Sequence, residues 1–257
     1  MPLPRLLGQL TQFFLVTPCP LCQRPASPLL CDGCYRQMLA CQWKGSTQNH
    51  LIRDGVSQTT LADRDVLSVF SWGKYTGVLK QLLALLKYGN QAELGIWLGC
   101  QLGQQWRVKK PQKARYRPVV VPIPLHRQRL KQRGYNQAAL IAQGFCRATG
   151  LPLAEHGLVR IKATNAMHSL SKQDRQTNLM GAFQLGQSLP HKSRPILLID
   201  DIYTTGTTAK TAILSLMQAG YSIMGVATVA QAVLSSPLDR RSAPYPDHQT
   251  LDLNPNL

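Results

Sequence analysis

Two acidic residues and a run of threonines follow an apolar segment between Pro195 and Lys210, in the sequence PILLIDDIYTTGTTAK. Asp200 and Asp201 end the apolar run, and a helical stretch from Ala209 to Ala219 follows the threonines. A loop that opens onto a helix N-terminus presents free backbone N–H groups at the positive end of the helix dipole. The loop residues suited to a phosphate monoester are Thr204, Thr205, Gly206, Thr207 and Thr208. Because the two carboxylates can accept hydrogen bonds from a diol such as ribose, the pattern predicts a sugar phosphate as ligand.

Other interpretations of this segment fit less well. The acids and threonines could merely end a strand and cap a helix, but a paired acid followed by TTGTT fits capping alone poorly. The chain contains no G-x-x-x-x-G-K-[ST] and no G-x-G-x-x-G, which excludes a Walker loop and a dinucleotide loop. The run Ile196–Ile199 is short and follows a proline, as expected of a strand buried on both faces of a parallel sheet.

The segment resembles the motif with which type I phosphoribosyltransferases bind PRPP (5-phosphoribosyl 1-pyrophosphate). The resemblance implies that Thr204–Thr208 hold the 5-phosphate, that Asp200 and Asp201 face the ribose hydroxyls, and that magnesium pyrophosphate lies nearby. Base-salvage relatives often carry an acid at the position of Thr204, which takes a proton from a purine. Its absence here argues against a purine acceptor and leaves the acceptor unassigned.

Four cysteines near the N-terminus are spaced as two C-x-x-C pairs, namely Cys19, Cys22, Cys31 and Cys34. Two such pairs converge into a tetrahedral Zn²⁺ site whose four positions are all filled by protein, so the metal would be structural. A pair of disulfides is the alternative, and a cytosolic chain disfavours it. The spacing leaves Cys41 unassigned, and we expect Cys100 and Cys146 to be inert core residues.

The chain is strongly basic, with 29 Lys and Arg against 12 Asp and Glu and a net charge of +17 over 257 residues. This excess favours nucleic acid or a polyphosphate as partner, although a solvated surface can have the same composition. One basic cluster, at 107–117, could track a phosphodiester backbone or be a solvated loop.

A second basic run follows the predicted strand Val119–Pro122, at the same sheet edge as Asp200. We predict a basic loop there, because charge-assisted hydrogen bonds to phosphate are strong. Its candidate ligands for the leaving pyrophosphate are Arg127, Arg129 and Arg133.

The runs VPIPLHRQRLKQRGYNQA at 121–138 and LLKYGNQAEL at 85–94 resemble the ComF competence family. Together with the four cysteines and the IDDIYTTGTT loop, the likeness covers residues 19 to about 230. It implies a type I phosphoribosyltransferase domain, PRPP with Mg²⁺ as ligands, and a role in natural transformation with single-stranded DNA and competence proteins as partners. Arg175 matches the arginine of a mobile segment of that family and is a further pyrophosphate candidate, whereas Met167 replaces its glutamine.

These observations predict an α/β protein, a type I phosphoribosyltransferase-like parallel sheet flanked by helices with a small N-terminal zinc ribbon. The expected organisation is an amphipathic helix at 1–17, the zinc ribbon at 18–41, a linker at 42–65, the phosphoribosyltransferase-like domain at 66–234 and a disordered tail at 235–257. No stretch is long and apolar enough to cross a bilayer, and the N-terminus lacks a small-residue cleavage site. We therefore expect a cytoplasmic protein without membrane insertion.

Three functions are compatible with the sequence. The first is a phosphoribosyltransferase of unknown acceptor, in which Asp200 and Asp201 orient the ribose through an oxocarbenium-like transition state. The second keeps the fold as a non-catalytic PRPP sensor or a module associated with single-stranded DNA. The third is a nucleic-acid-binding zinc protein without a nucleotide site, against which the intact TTGTT loop argues.

Overall fold

The computed structural model describes residues 17–44, 48–50, 68–109, 117–162, 181–189 and 191–233. Its strands, in chain order, are β1 Thr17–Pro18, β2 Pro25–Ala26, β3 Gln48–His50, β4 Ser68–Lys74, β5 Val119–Pro122, β6 Leu158–Arg160, β7 Phe183–Leu185, β8 Ile196–Tyr203 and β9 Ile223–Gln231. Its helices are α1 Asp32–Ala40, α2 Gly77–Tyr88, α3 Ala92–Lys109, α4 Arg127–Arg133, α5 Gln137–Thr149 and α6 Thr207–Gln218.

The central sheet has the strand order β3-β4-β9-β8-β5. Strands β4, β9, β8 and β5 pair in parallel, and the short β3 pairs antiparallel to β4 at one edge. Two small antiparallel pairs, β1 with β2 and β6 with β7, lie outside this sheet. Helices connect the parallel strands, so the α/β class that the sequence predicted is confirmed.

Side chains of β8 alternate between two hydrophobic cores, as the pleat of a strand requires. Leu197 and Ile199 belong to the core that contains α2, α3 and α5, whereas Ile196 and Leu198 belong to the core beneath α6. All four side chains are fully buried. The apolar run is thus a strand covered on both faces, as predicted.

Helices α3 and α5 pack closely because glycines face the partner backbone. A Cβ on Gly99 would overlap the carbonyl of Ile141, and a Cβ on Gly144 would overlap the carbonyl of Ile96. The Cys100 thiol donates to the Gly144 carbonyl at 3.4 Å. Burial raises the pKa of Cys100 and raises that of Cys146 to about 12, so both remain protonated thiols, in line with an inert role in packing.

The four-cysteine segment is attached to the end of β4 by its last residues. The Cys41 carbonyl accepts the Lys74 N–H at 2.8 Å, and the Trp43 N–H donates to the Trp72 carbonyl at 3.2 Å. The Cys41 thiol is buried and lies 3.4 Å from the Thr76 carbonyl. Cys41, which the spacing left unassigned, thus joins the N-terminal segment to the start of α2.

Two local predictions are wrong. Residues 127–133 form the helix α4 rather than a basic loop, because His126 caps its N-terminus and Gly134 ends it in the left-handed conformation. Strand β8 continues through Tyr203, so Asp200 and Asp201 lie within the strand and not after it. Their backbone pairing with β9 continues to Gln231, which extends the parallel ladder past the apolar run.

Some predicted regions fall outside the described residues: the N-terminal helix, most of the 42–65 linker, residues 110–116, the segment with Met167 and Arg175, and the tail. Within the described ranges, no helix combines the length and apolar character that crossing a bilayer requires.

Candidate functional site

The TTGTT loop, Thr204–Thr208, connects β8 to the N-terminus of α6. Gly206 is the N-cap, with a left-handed φ of 75° that favours glycine. A Cβ there would overlap the Tyr203 ring, which leaves no space for a side chain. Thr204, Thr205 and Thr207 are exposed around this turn. The first N–H groups of α6 and several hydroxyls therefore surround one exposed position, which suits a phosphate.

The acid pair is held by backbone hydrogen bonds of its own strand. The Asp201 N–H donates to Asp200 Oδ1 at 2.8 Å, and the Ile202 N–H donates to Asp201 Oδ1 at 2.7 Å. Burial, and then the adjacent charge of Asp201, raise the pKa of Asp200 to about 8. At neutral pH Asp200 therefore keeps its proton, because burial and the neighbouring carboxylate both oppose its negative charge.

Lys87 neutralises the second acid. Its Nζ lies 2.8 Å from Asp201 Oδ2, and both side chains are 15% exposed. Helix α2 starts just after the carboxyl end of β4 and ends beside the carboxyl end of β8, so it crosses the edge of the sheet. Sequence reasoning missed Lys87. The LLKYGN run marked the family, but nothing local indicated which acid this lysine meets.

A basic cavity of about 460 Å³ adjoins this ion pair. It is lined by Lys87, Tyr88, Asn90, Arg129, Gln132 and Arg133. The Arg133 guanidinium lies 5.3 Å from the Tyr88 ring centre and donates to Gln137 Oε1 at 3.0 Å. The Tyr135 hydroxyl donates to the Leu86 carbonyl at 2.7 Å, which ties the end of α2 to the chain after α4.

The predicted pyrophosphate ligands are therefore only partly brought together. Arg129 and Arg133 line the basic cavity beside Lys87, whereas Arg127 is exposed and does not line it. Arg175 lies outside the described residues.

The four predicted metal ligands converge. The sulfur atoms of Cys19, Cys22, Cys31 and Cys34 all lie within 4.8 Å of one another. A tetrahedral Zn²⁺ site with Zn–S bonds of about 2.3 Å has sulfur atoms about 3.8 Å apart. The Cys22 and Cys31 sulfurs are already 3.4 Å apart. Four thiols at such distances fit a zinc ribbon.

The backbone around this cluster favours a thiolate. Burial opposes ionisation of Cys19, but hydrogen bonds from the N–H groups of Cys31, Leu21 and Cys22 lower its pKa to about 6. Burial and the neighbouring thiols raise the pKa of Cys34. A bound divalent cation would favour the thiolate form of Cys34, because a sulfur must be deprotonated to bind the metal.

The parallel sheet, the acid pair in the carboxyl half of β8 and the loop before α6 define the class of the protein, an α/β fold with helices that connect parallel strands. Among solved structures, the chain is similar to adenine phosphoribosyltransferase from Leishmania donovani (11% identity, 64% of this chain and 71% of that chain, TM-score 0.38). It is also similar to orotate phosphoribosyltransferase from Aeropyrum pernix (17% identity, 59% and 64%, TM-score 0.31). No protein-family model matches the chain.

Curated relatives identify the family. The chain is 30% identical over 189 residues to Competence protein F of Haemophilus influenzae, covering 70% of this chain and 80% of that protein. It is 28% identical over 203 residues to Competence protein ComFC of Bacillus subtilis, covering 79% and 72%. Its likeness to the DNA utilization protein YhgH of Escherichia coli K12 is 30% over 135 residues, covering 52% and 59%. The chain belongs to the ComF competence protein family.

The raised pKa of Asp200 makes stability depend on pH. An unfolded Asp ionises near 3.9, so the folded chain binds one proton more than the unfolded chain between about pH 4 and about pH 8. The contribution of Asp200 to the free energy of unfolding is therefore largest at the acid end and falls as pH rises to about 8. The slope is at most ~1.4 kcal/mol per pH unit.

We expect Asp200→Asn to lack this fall, since an amide does not titrate. Urea unfolding of both proteins between pH 5 and pH 8.5 measures it, as the difference between their free energies of unfolding. Parallel pH profiles would contradict the prediction.

Proposed function

We propose that this protein binds PRPP with Mg²⁺ at the carboxyl edge of its parallel sheet. The observation that carries the proposal is the juxtaposition of an acid pair with a helix N-terminus on one side and a basic cavity on the other. The three parts match the ligand, because PRPP has a ribose diol between a monophosphate and a pyrophosphate.

Each part then has a role. The TTGTT loop and the first N–H groups of α6 hold the 5-phosphate. Asp200 and Asp201 orient the ribose hydroxyls and supply carboxylate oxygens, the ligand type that Mg²⁺ prefers. Arg129 and Arg133 in the basic cavity bind the leaving pyrophosphate, and Arg127 and Arg175 are further candidates for this role. Mg²⁺ would neutralise charge that develops on the pyrophosphate.

The reaction class that follows is pentosyl transfer to an acceptor that nothing in the chain identifies. Thr204 stands where an acid would serve a purine acceptor, so we infer a different acceptor. The relatives are named for competence and for DNA utilization, which supports a role for this chain in DNA uptake. We propose that it acts in the cytoplasm. A PRPP sensor without turnover uses the same site.

We further propose that the four-cysteine cluster holds one structural Zn²⁺. The support is the donor set itself, since four converging thiols with a lowered pKa at Cys19 suit Zn²⁺ and leave no open coordination position. The metal would fix the segment that precedes α1.

A second candidate function is association with single-stranded DNA, favoured by a groove between α1 and α3. This amide groove, of about 340 Å³, is lined by Tyr35, Trp43, Gln101, Gln104, Gln105 and Lys109, among others. Trp43 Nε1 and Gln105 Oε1 are buried there without a hydrogen-bond partner among the described residues. The exposed Gln104 of this lining can pair with a nucleobase edge, which carries both donors and acceptors, and the basic end of α3 can attract phosphate.

The first prediction for these proposals concerns PRPP. Calorimetry with Mg²⁺ should give micromolar binding to the wild-type chain, and Thr205→Val should weaken it about tenfold because a phosphate donor is lost. Ser215→Ala, in helix α6 about two turns beyond its N-terminus, is the matched control and should bind as the wild type does.

Absence of PRPP binding at millimolar concentration would refute the proposed function. Binding without pyrophosphate release, across a screen of acceptors, would select the sensor over the enzyme.

The second prediction concerns zinc. Purified protein should retain one Zn²⁺ per chain after dialysis, and Cys22→Ser should retain none, because three thiolates hold the metal more weakly than four. Elemental analysis measures this, with Cys100→Ser as a control that keeps the donor to Gly144. Equal zinc content in both variants would exclude the cluster as the metal site.

The third prediction concerns the amide groove. Gln104→Glu places a negative charge in the groove, and we expect it to weaken binding of a single-stranded oligonucleotide several-fold, as one phosphate contact is repelled. Gln91→Glu makes the same charge change at the opposite end of α3. Fluorescence anisotropy over a salt series compares them, and identical affinities for the two variants would remove the groove as a DNA site.

A further inference from the structure

Both carboxylate oxygens of Asp201 have partners inside the protein. Oδ1 accepts the Ile202 N–H at 2.7 Å, and Oδ2 lies 2.8 Å from the Lys87 ammonium. A ribose hydroxyl, or a cation carried by a ligand, that approaches Oδ2 therefore meets a positive charge that is already paired there. Asp201, the acid proposed to bind the sugar, is therefore already occupied by partners from the protein.

Lys87 also borders the basic cavity that would receive a pyrophosphate. The Lys87 side chain thus lies between the Asp201 carboxylate and the basic cavity that would receive an anion. A lysine carries its charge on a flexible four-carbon stem with three donors, so it can exchange one oxygen partner for another without movement of the helix.

We propose that Lys87 is an internal counter-ion that closes Asp201 until a diphosphate enters the basic cavity, which makes it a specificity-determining residue. The inference rests on the proposed PRPP function. When a diphosphate binds beside Arg129 and Arg133, its oxygens replace Asp201 as the partner of Lys87, and Asp201 becomes available to the ribose.

A ligand without the diphosphate gains no such exchange. Ribose 5-phosphate would have to separate a largely buried ion pair without offering the ammonium a new anion, which is unfavourable. Lys87 therefore lowers affinity for ribose 5-phosphate and raises affinity for PRPP. Loss of Lys87 should therefore change the two affinities in opposite directions. Loss of a residue that merely supports the fold would weaken the binding of both ligands.

The test is calorimetric titration of the wild-type chain and Lys87→Met with PRPP and with ribose 5-phosphate, at saturating Mg²⁺. We expect the variant to bind ribose 5-phosphate about tenfold more tightly and PRPP about tenfold more weakly, each ~1.4 kcal/mol. The ratio of the two dissociation constants then falls about a hundredfold. Lys87→Arg keeps a cation beside Asp201 and should keep the ratio near the wild-type value.

Two further variants isolate the effect. Lys80→Met removes a lysine of the same helix whose ammonium lies over the Tyr75 ring, and it should bind both ligands as the wild type does. Arg129→Met removes another cation of the basic cavity and should not tighten ribose 5-phosphate binding. A gain in affinity for that ligand is therefore specific to the loss of Lys87.

The outcomes separate the two proposals. If the wild-type chain binds PRPP but Lys87→Met leaves the ratio unchanged, or weakens both ligands equally, the counter-ion role is refuted while the site stands. If the wild-type chain binds neither ligand, the proposed function fails and this inference fails with it. Thermal unfolding of Lys87→Met, compared with the wild type, shows whether any loss reflects misfolding.

Discussion

The structure depends on how two adjacent carboxylates are accommodated at the end of a strand that is buried on both faces. Water reaches this position poorly, so each charge needs a partner or a proton. Asp200 keeps a proton and accepts a hydrogen bond from the Asp201 N–H. Asp201 pairs with the Lys87 ammonium and accepts a hydrogen bond from the Ile202 N–H. The two acids therefore depend on different partners, Asp200 on a proton and Asp201 on a lysine that is distant in sequence.

The charge of Asp201 is met by the last turn of α2. The buried leucines of this helix pack into the core on one face of the sheet, and its last turn brings Lys87 to Asp201 of β8. The helix begins just after β4 and therefore reaches β8 past the intervening β9. The Tyr135 hydroxyl on the Leu86 carbonyl and the Arg133 guanidinium on Tyr88 hold its last turn against the chain around α4. The basic cavity is the space between these two elements.

Features that depend on neighbouring residues were predictable from the sequence, and those set by long-range pairing were not. The strand before Asp200, the TTGTT turn and the two C-x-x-C pairs were predicted, since each is encoded within a short stretch of the sequence. Helix α4 was mistaken for a loop because its seven residues carry a single apolar side chain, Leu130. The residues that begin and end the helix, His126 and Gly134, were nevertheless present in the sequence as signals. The Lys87–Asp201 pair had no local signal, because its register depends on where α2 crosses the sheet. The contact between the Cys41 thiol and the Thr76 carbonyl could not be predicted either, because it joins residues that are distant in the sequence.

That last contact links the two motifs that carry chemistry. Cys31 is the N-cap of α1, so closure of the four-cysteine cluster sets where α1 begins, and Cys41 is its C-cap. Through its thiol beside the Thr76 carbonyl, Cys41 fixes the residue that caps α2, and the other end of α2 holds Asp201. The cysteine cluster and the acid pair of β8 are therefore connected by one continuous series of contacts, which runs along α1 to Cys41 and along α2 to Lys87.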